Sequence, residues 1–188
     1  SMTDVGWVAP SGLMRLRGAA FGKDYADNFF SAQFNVHKVQ RHVLERDGGT
    51  FRSRNEDFLV SSHPDFHPTD VLEDADGSLL VVDTGGWFRI GCPTSRVDKP
   101  LVKGALYRIR RKGSPRAADP RGLNLPLDTT LAAMLDDARP AVRDRAIDEG
   151  ARRGVAYVRE ALKSPSARAR RNAVWALARI AEPEARAA

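Results

Sequence analysis

The chain has 188 residues, is 42% apolar and carries a formal charge of +6, enough for one domain or two small ones with a real core. No apolar run approaches the ~18–20 residues of a membrane span, and the single cysteine, Cys92, excludes an internal disulfide, a cysteine-rich zinc site and a haem-attachment motif. The basic excess is even, with 18 Lys/Arg against 15 Asp/Glu in residues 1–127 and 12 against 9 in residues 128–188, the pattern of a solvated surface rather than a nucleic-acid footprint.

In chain order, residues 1–8 form a lead-in with no clear pattern. Alternation then predicts strands over 13–21 and 29–34, separated by a turn region over 22–28. Val36, Val39 and Val43 follow with polar residues between them, and the turn Asp47-Gly48-Gly49 leads into a strand over 50–54. A loop carrying His63, Pro64, His67 and Pro68 opens the densest stretch of the chain. It passes into a short strand around Val71, an acidic turn over 73–77 and the apolar run Leu79-Leu80-Val81-Val82, which stops at Asp83 and Gly85-Gly86. Apolar strand, Asp-Gly turn, apolar strand is a strong hairpin signal, because Asp and Gly tolerate the left-handed conformations that tight turns need. A further strand is expected over 104–110.

Two units of about 45–55 residues, each with several short strands and an Asp-Gly turn, have the period of β-propeller blades. Propellers close with about 4–8 blades, so closure here would need further blades or a second copy of the chain. After a Gly/Pro/Arg-rich linker over 114–127, the texture turns helical. Asp128, Thr129 and Thr130 are N-cap candidates for a helix over 131–135, and Pro140 starts a second through Val142, Ala146 and Ile147, with Gly150 and Gly154 punctuating its end. Val155, Val158 and Leu162 space a third. Ser164-Pro165-Ser166 caps a fourth, with Ala173, Val174, Leu177 and Ile180 as its apolar face. Arg143, Ala146 and Ile147 align with Arg170, Ala173 and Val174 at a spacing of 27 residues, the logic of a HEAT-type solenoid repeat. The expected fold is α+β: about two blades of propeller-like antiparallel sheet over 9–113, then HEAT-like helical repeats over 128–188.

The segments SGLMRLRGAAFGKDYADNFFSAQFNVHKVQRHVL (11–44), DFLVSSHPDFHPTDVLEDADGSLLVVDTGGWF (57–88), GCPTS (91–95) and GALYRIRRKG (104–113) resemble the membrane-bound dehydrogenase-type family of planctomycetes and related bacteria. ARPAVRDRAIDEGARRG (138–154) and RRNAVWALARI (170–180) look like that family's first helical repeats. The resemblance implies a propeller similar to glucose/sorbosone dehydrogenases followed by HEAT repeats, an extracytoplasmic location, and a quinone (PQQ-like) or calcium cofactor in a full-length parent. It covers the last blades and the start of the solenoid.

Candidate site residues follow from strand ends. His67, Asp70 and Asp83 would sit at one mouth of the second sheet, with Trp87 stacking on a sugar ring or covering the sheet edge. Gln33, Asn35 and His37 end the preceding unit and would face the same mouth if the units are equivalent. His63, Asp65, His67 and Asp70 are potential metal ligands, but ordinary loop chemistry accounts for them better, and no metal site is expected. The acidic turn imitates an EF-hand loop, yet Leu72 stands at its first ligand position, so it reads as a hairpin turn. Cys92 reads as a structural thiol, and the basic run Arg108, Arg110, Arg111 and Lys112 as a solvated strand face rather than a phosphate site. The function expected is a ligand- or protein-binding module without complete catalytic machinery, its partners being other blades, a second copy or a protein on the helical face. The alternatives are a sugar or alcohol dehydrogenase completed by missing blades and, more remotely, a HEAT-like nucleic-acid binder.

Overall fold

The computed structural model describes residues 3–86, 99, 101–126 and 128–187, which fall into two units, Ser1–Pro115 and Arg116–Ala188. In the first, alternating side chains and Gly-containing turns give seven strands among the described residues. Strands β1 (Pro10–Arg15), β2 (Phe29–Gln33), β3 (Lys38–Asp47) and β4 (Thr50–Val60) form one antiparallel sheet in chain order. Strands β5 (Pro68–Glu73), β6 (Leu79–Asp83) and β7 (Ala105–Ile109) form a second, also antiparallel. The two sheets share one core. Leu16, Phe21, Phe30 and Val39 from the first side meet Phe66, Val71, Leu79 and Val81 from the other, all buried. Phe58 stands edge-on to Phe30 with ring centroids 4.9 Å apart, a favoured aromatic geometry.

Two boundaries differ from the sequence expectation, each for a visible reason. The first strand ends at Arg15 rather than near residue 21, because the backbone N–H groups of Arg17 and Gly18 donate to the Glu73 carboxylate, at 2.7 Å each. The chain leaves the ladder there with its donors satisfied. The fourth strand runs on to Val60 rather than stopping near 54, since Asn55, Glu56, Asp57 and Leu59 all find partners on β3.

Register sorts the first sheet into two faces. Phe30 and Ala32 on β2 lie opposite Arg41 and Val39, toward the core. Ser31 and Gln33 lie opposite Gln40 and Lys38, on the outer face. The sheets come closest where β1 passes β5. A Cβ added to Gly12 would lie 2.6 Å from the Asp70 Cα, and Ser11 Oγ donates to Pro68 O at 3.0 Å.

The second unit contains α1 (Leu131–Leu135), α2 (Pro140–Arg153), α3 (Val155–Arg159), a 3₁₀ turn over Glu160–Lys163, α4 (Ala167–Leu177) and α5 (Glu184–Ala187). Thr130 and Ser166 cap α1 and α4, accepting from Ala133 N and Ala169 N at 3.2 Å each. Gly150 lies inside α2 rather than at its end, where the absent side chain lets Val158 and Ala176 approach; the helix ends at Gly154, φ 90°. The 27-residue correspondence has a bonding signature. Arg143 Nη1 donates to Asp137 O and Ala138 O at 2.7 and 2.9 Å, and Arg170 Nη1 donates to Ser164 O and Pro165 O at 2.8 and 2.9 Å. Each arginine ties the start of one helix to the turn before it. One expected core residue is not in the core: Val174 is 56% exposed, whereas its counterpart Ile147 is buried.

Gly12→Ala is expected to destabilise the first unit by about 1–3 kcal/mol, since the added methyl meets backbone rather than a yielding side chain. Urea unfolding monitored by near-ultraviolet circular dichroism measures it; an unchanged midpoint would disprove the close approach.

Candidate functional site

The end of the sheets where β2 and β6 finish and β3 and β5 begin gathers rings around one buried imidazole. His67 precedes β5 and is 8% exposed. Its ring lies 4.6 Å from that of Phe34, tilted by 32°, and 5.2 Å from that of His37, edge to face. His67 Nδ1 contacts Gly85 O at 2.7 Å and His37 Nδ1 contacts Phe66 O at 2.7 Å. A carbonyl only accepts, so both Nδ1 atoms carry a proton. His37 is held in the left-handed region, φ 55°, a conformation uncommon for a residue with a side chain. Its carbonyl accepts from Ser61 N at 3.0 Å, which anchors the turn to the end of β4.

Asp83 supports this arrangement. Its Oδ1 accepts from His67 N and Gly85 N, 2.8 Å each, so one carboxylate oxygen fixes both the backbone that carries the imidazole and the backbone whose carbonyl orients it. Gly85 adopts φ 61° and has Lys103 backbone 2.6 Å from where a Cβ would stand. Only glycine fits there.

The other candidates go elsewhere. Asp70 Oδ1 accepts from its own neighbour Val71 N at 2.8 Å and lies against Gly12. Asn35 holds the N-terminal segment, accepting from Ala9 N at 2.6 Å and donating to Trp7 O at 3.1 Å. Gln33 belongs to the outer face of the first sheet. Trp87 and Cys92 lie outside the described residues. In the loop, His63 Nδ1 accepts from Asp65 N at 3.2 Å, and Asp65 pairs with Lys99 at 2.6 Å, whose bond holds that carboxyl below its usual range. Among the described residues no group of three or more His, Cys, Asp or Glu side chains could hold a metal ion. The set His63, Asp65, His67 and Asp70 is therefore not assembled as a metal site.

The outer face of the first sheet carries a polar ladder that sequence reasoning missed. Ser31 Oγ meets His42 Nε2 at 2.7 Å, and His42 Nδ1 meets Asn55 Oδ1 at 2.9 Å. Asn55 Nδ2 donates to Thr3, so its oxygen is the atom facing the histidine. Gln33, 1% exposed, donates to Gln40 Oε1 at 2.9 Å, and Gln40 donates to Asp57 at 3.2 Å. The Lys38 ammonium, bonded to Asp57 at 2.8 Å, keeps that carboxyl ionised. This polarity fixes the Gln33 amide with its nitrogen toward Gln40 and leaves Oε1 buried without a partner. The alternation of Ser31, Gln33, Gln40 and His42 along two strands was the available signal.

The acidic turn is an ion-pair cluster. Arg108 reaches Asp74 at 2.7 Å and Arg110 reaches Asp76 at 2.7 Å. Partial burial of Asp76 opposes its ionisation, but bonds from Ser78 and the Arg110 charge outweigh that and hold its carboxyl far below the usual range. The Arg108 bond also lowers the Asp74 carboxyl.

A family model described as a domain of unknown function (DUF7133) matches residues 5–90, less than half of the chain. No curated protein matches. Among solved structures, an oxidoreductase from Thermus thermophilus, provisionally described as a glucose dehydrogenase, is similar at 20% identity with a TM-score of 0.36. That match covers 54% of this chain and 25% of the other, so the chain spans about a quarter of that protein. Among the described residues no helix is long and apolar enough to cross a membrane.

Two outcomes follow. Asp83→Ala should cost about 1–3 kcal/mol, because two buried N–H groups lose their acceptor, while Asp83→Asn, which keeps a carbonyl oxygen, should cost less; denaturant titration of both variants checks the order. Since the Asp74 and Asp76 carboxyls are depressed in the folded state, their contribution is present above the unfolded pKa of about 4 and is lost as pH falls below it. The double variant Asp74→Asn/Asp76→Asn should therefore melt lower than wild type at pH 6 and show a shallower decline toward pH 3 in a thermal-melt series. Parallel curves for the two proteins would contradict the cluster's role.

Proposed function

We propose that this chain is a piece of a dehydrogenase-like β-propeller with HEAT-type repeats and acts as a binding module without complete catalytic machinery. Its ligand would be a polyhydroxylated sugar-class molecule or a flat quinone-class ring, received where Phe34, His37 and His67 meet. The observation that carries this reading is the division of labour at that end. Both imidazoles are held by Nδ1 on backbone carbonyls, while Asp83 is committed to two backbone N–H groups rather than to proton transfer. Aromatic faces with a few fixed polar atoms suit recognition of sugars and planar rings. Two antiparallel sheets sharing a core, as adjacent blades do, support the propeller reading. The matched arginine bonds support the repeat reading.

A second reading, a sugar or alcohol dehydrogenase with a quinone-type or calcium cofactor, is favoured by one feature. His67, its Nδ1 fixed on Gly85 O, places at that end an imidazole, the side chain most often used as a general base. It would need further blades or a second copy to enclose substrate, and on either reading the protein works outside the cytoplasm. Isothermal titration with glucose, other monosaccharides and pyrroloquinoline quinone tests the proposal. At least one should bind saturably, and His67→Gln, with an unchanged circular dichroism spectrum, should weaken it about tenfold, near 1.4 kcal/mol. No saturable binding, or equal affinity in the variant, would overturn it.

A further inference from the structure

We infer that the pocket between α2 and the loop before α1 binds a small organic acid, a carboxylate joined to an apolar body about the size of one ring. This stands on the helical unit alone and does not depend on the His67 reading.

The pocket exists because the loop is fastened at defined points. Asp119 accepts from Leu123 N and Asn124 N, at 2.8 and 3.0 Å, which turns the segment back on itself. Gly122, at φ 63°, packs on Val142, whose Cγ2 lies 2.7 Å from where a Cβ would stand. Arg139 donates to Asp119 O at 2.6 Å, and Arg145 donates to Gly122 O at 2.5 Å. Two helix side chains thus hold two loop carbonyls. Beside them lies a cavity of about 350 Å³, near the small end of the range for ligand pockets. Leu125 and Pro126 line it from the loop, Met134 from α1 and Tyr157 from α3, with buried Ala146 of α2 among them.

Helix α2 supplies the charge. Arg145, Glu149, Arg152 and Arg153 follow at i, i+4, i+7 and i+8, so they share one face of the helix, and all four line the cavity. Glu149 pairs with both Arg152 and Arg153. One carboxylate therefore serves two guanidinium groups. Arg153 also stands over the Tyr157 ring, 4.7 Å from its centroid, which fixes that ring as a wall. Arg145 is different. It is half-buried, its bond goes to a neutral carbonyl, and among the described residues no carboxylate pairs with it. Asp119 lies near enough to feel its charge, but both Asp119 oxygens are taken by the two loop N–H groups.

The lining selects among anions. A wholly polar anion would meet the guanidinium groups but leave Leu125, Met134 and Tyr157 uncovered. An apolar molecule would cover those side chains and leave the excess positive charge unmatched. A carboxylate accepts two parallel bonds from a guanidinium, and an apolar body attached to it fills the remaining space. Loop and helices are already bonded together, so little ordering is left for the ligand to impose.

The probe is 3-phenylpropionate, titrated into the whole chain labelled with ¹³C at its methionine methyl groups. The Met134 resonance should move saturably with a dissociation constant below about 1 mM, while that of Met14, which packs in the sheet unit, should stay in place. 3-Phenylpropanamide, of the same shape without the charge, should bind at least about tenfold more weakly, and Arg145→Gln should cause a similar loss for the acid. Because Arg145 also holds the loop, Arg152→Glu gives an independent reading. At that exposed position the melting temperature should be unaltered and the affinity at least about threefold lower. No saturable shift of Met134, equal affinity for the amide, or full affinity in Arg152→Glu would overturn the proposal. So would displacement of the acid by equimolar inorganic phosphate, which would make this a plain anion site.

Discussion

The sheet unit depends on one packing event: the faces bearing Val71, Leu79 and Val81 and those bearing Leu16, Phe30 and Val39 close on each other. Each sheet carries an apolar face that has to be buried against another layer. Their union excludes water from a common core, and it sets the distance between the elements that carry His37 and His67. Polar groups stand at the margins of this core. Glu73 ties the chain after β1 to the second sheet, and Ser11 ties β1 to Pro68. Such bonds each contribute modestly.

The candidate site is a consequence of that closure. His67 is oriented from its own sheet, through Asp83 and Gly85, and framed from the other by Phe34 and His37. An imidazole held this way has little freedom to change tautomer, because each alternative would set two acceptors against each other. That preorganisation is what a binding site requires, and it costs the free chain entropy that a ligand then need not supply. The outer ladder of Ser31, His42 and Asn55 is built by the same logic but is closed on itself, every ring nitrogen having its partner within the sheet.

Much of this was legible in the chain. The Asp76-Gly77 turn and the apolar run after it announce the hairpin that brings Asp83 to Pro68, and with it the pairing of Asp83 with the backbone of His67. The Arg143 and Arg170 correspondence announced two helix starts tied in the same way to the turns before them. What could not be read was anything set by closure between segments far apart in sequence. His37 and His67 are brought together by sheet packing, not by a local pattern. The early end of β1 depends on a carboxylate more than fifty residues away. Asp70, Gln33 and Asn35 resembled site residues because they are polar at strand ends, yet packing directs each to a different neighbour. Val174 shows the converse: helical periodicity marks an apolar face but does not say whether anything covers it.

The most direct measurement of the central claim is the tautomeric state of His67 and His37, read from long-range ¹H–¹⁵N correlation spectra of the intact chain. Both rings should carry a proton on Nδ1, and the His67 ring resonances should move when a saturating ligand is added. An Nε2–H tautomer, or rapid averaging between the two forms, would contradict it.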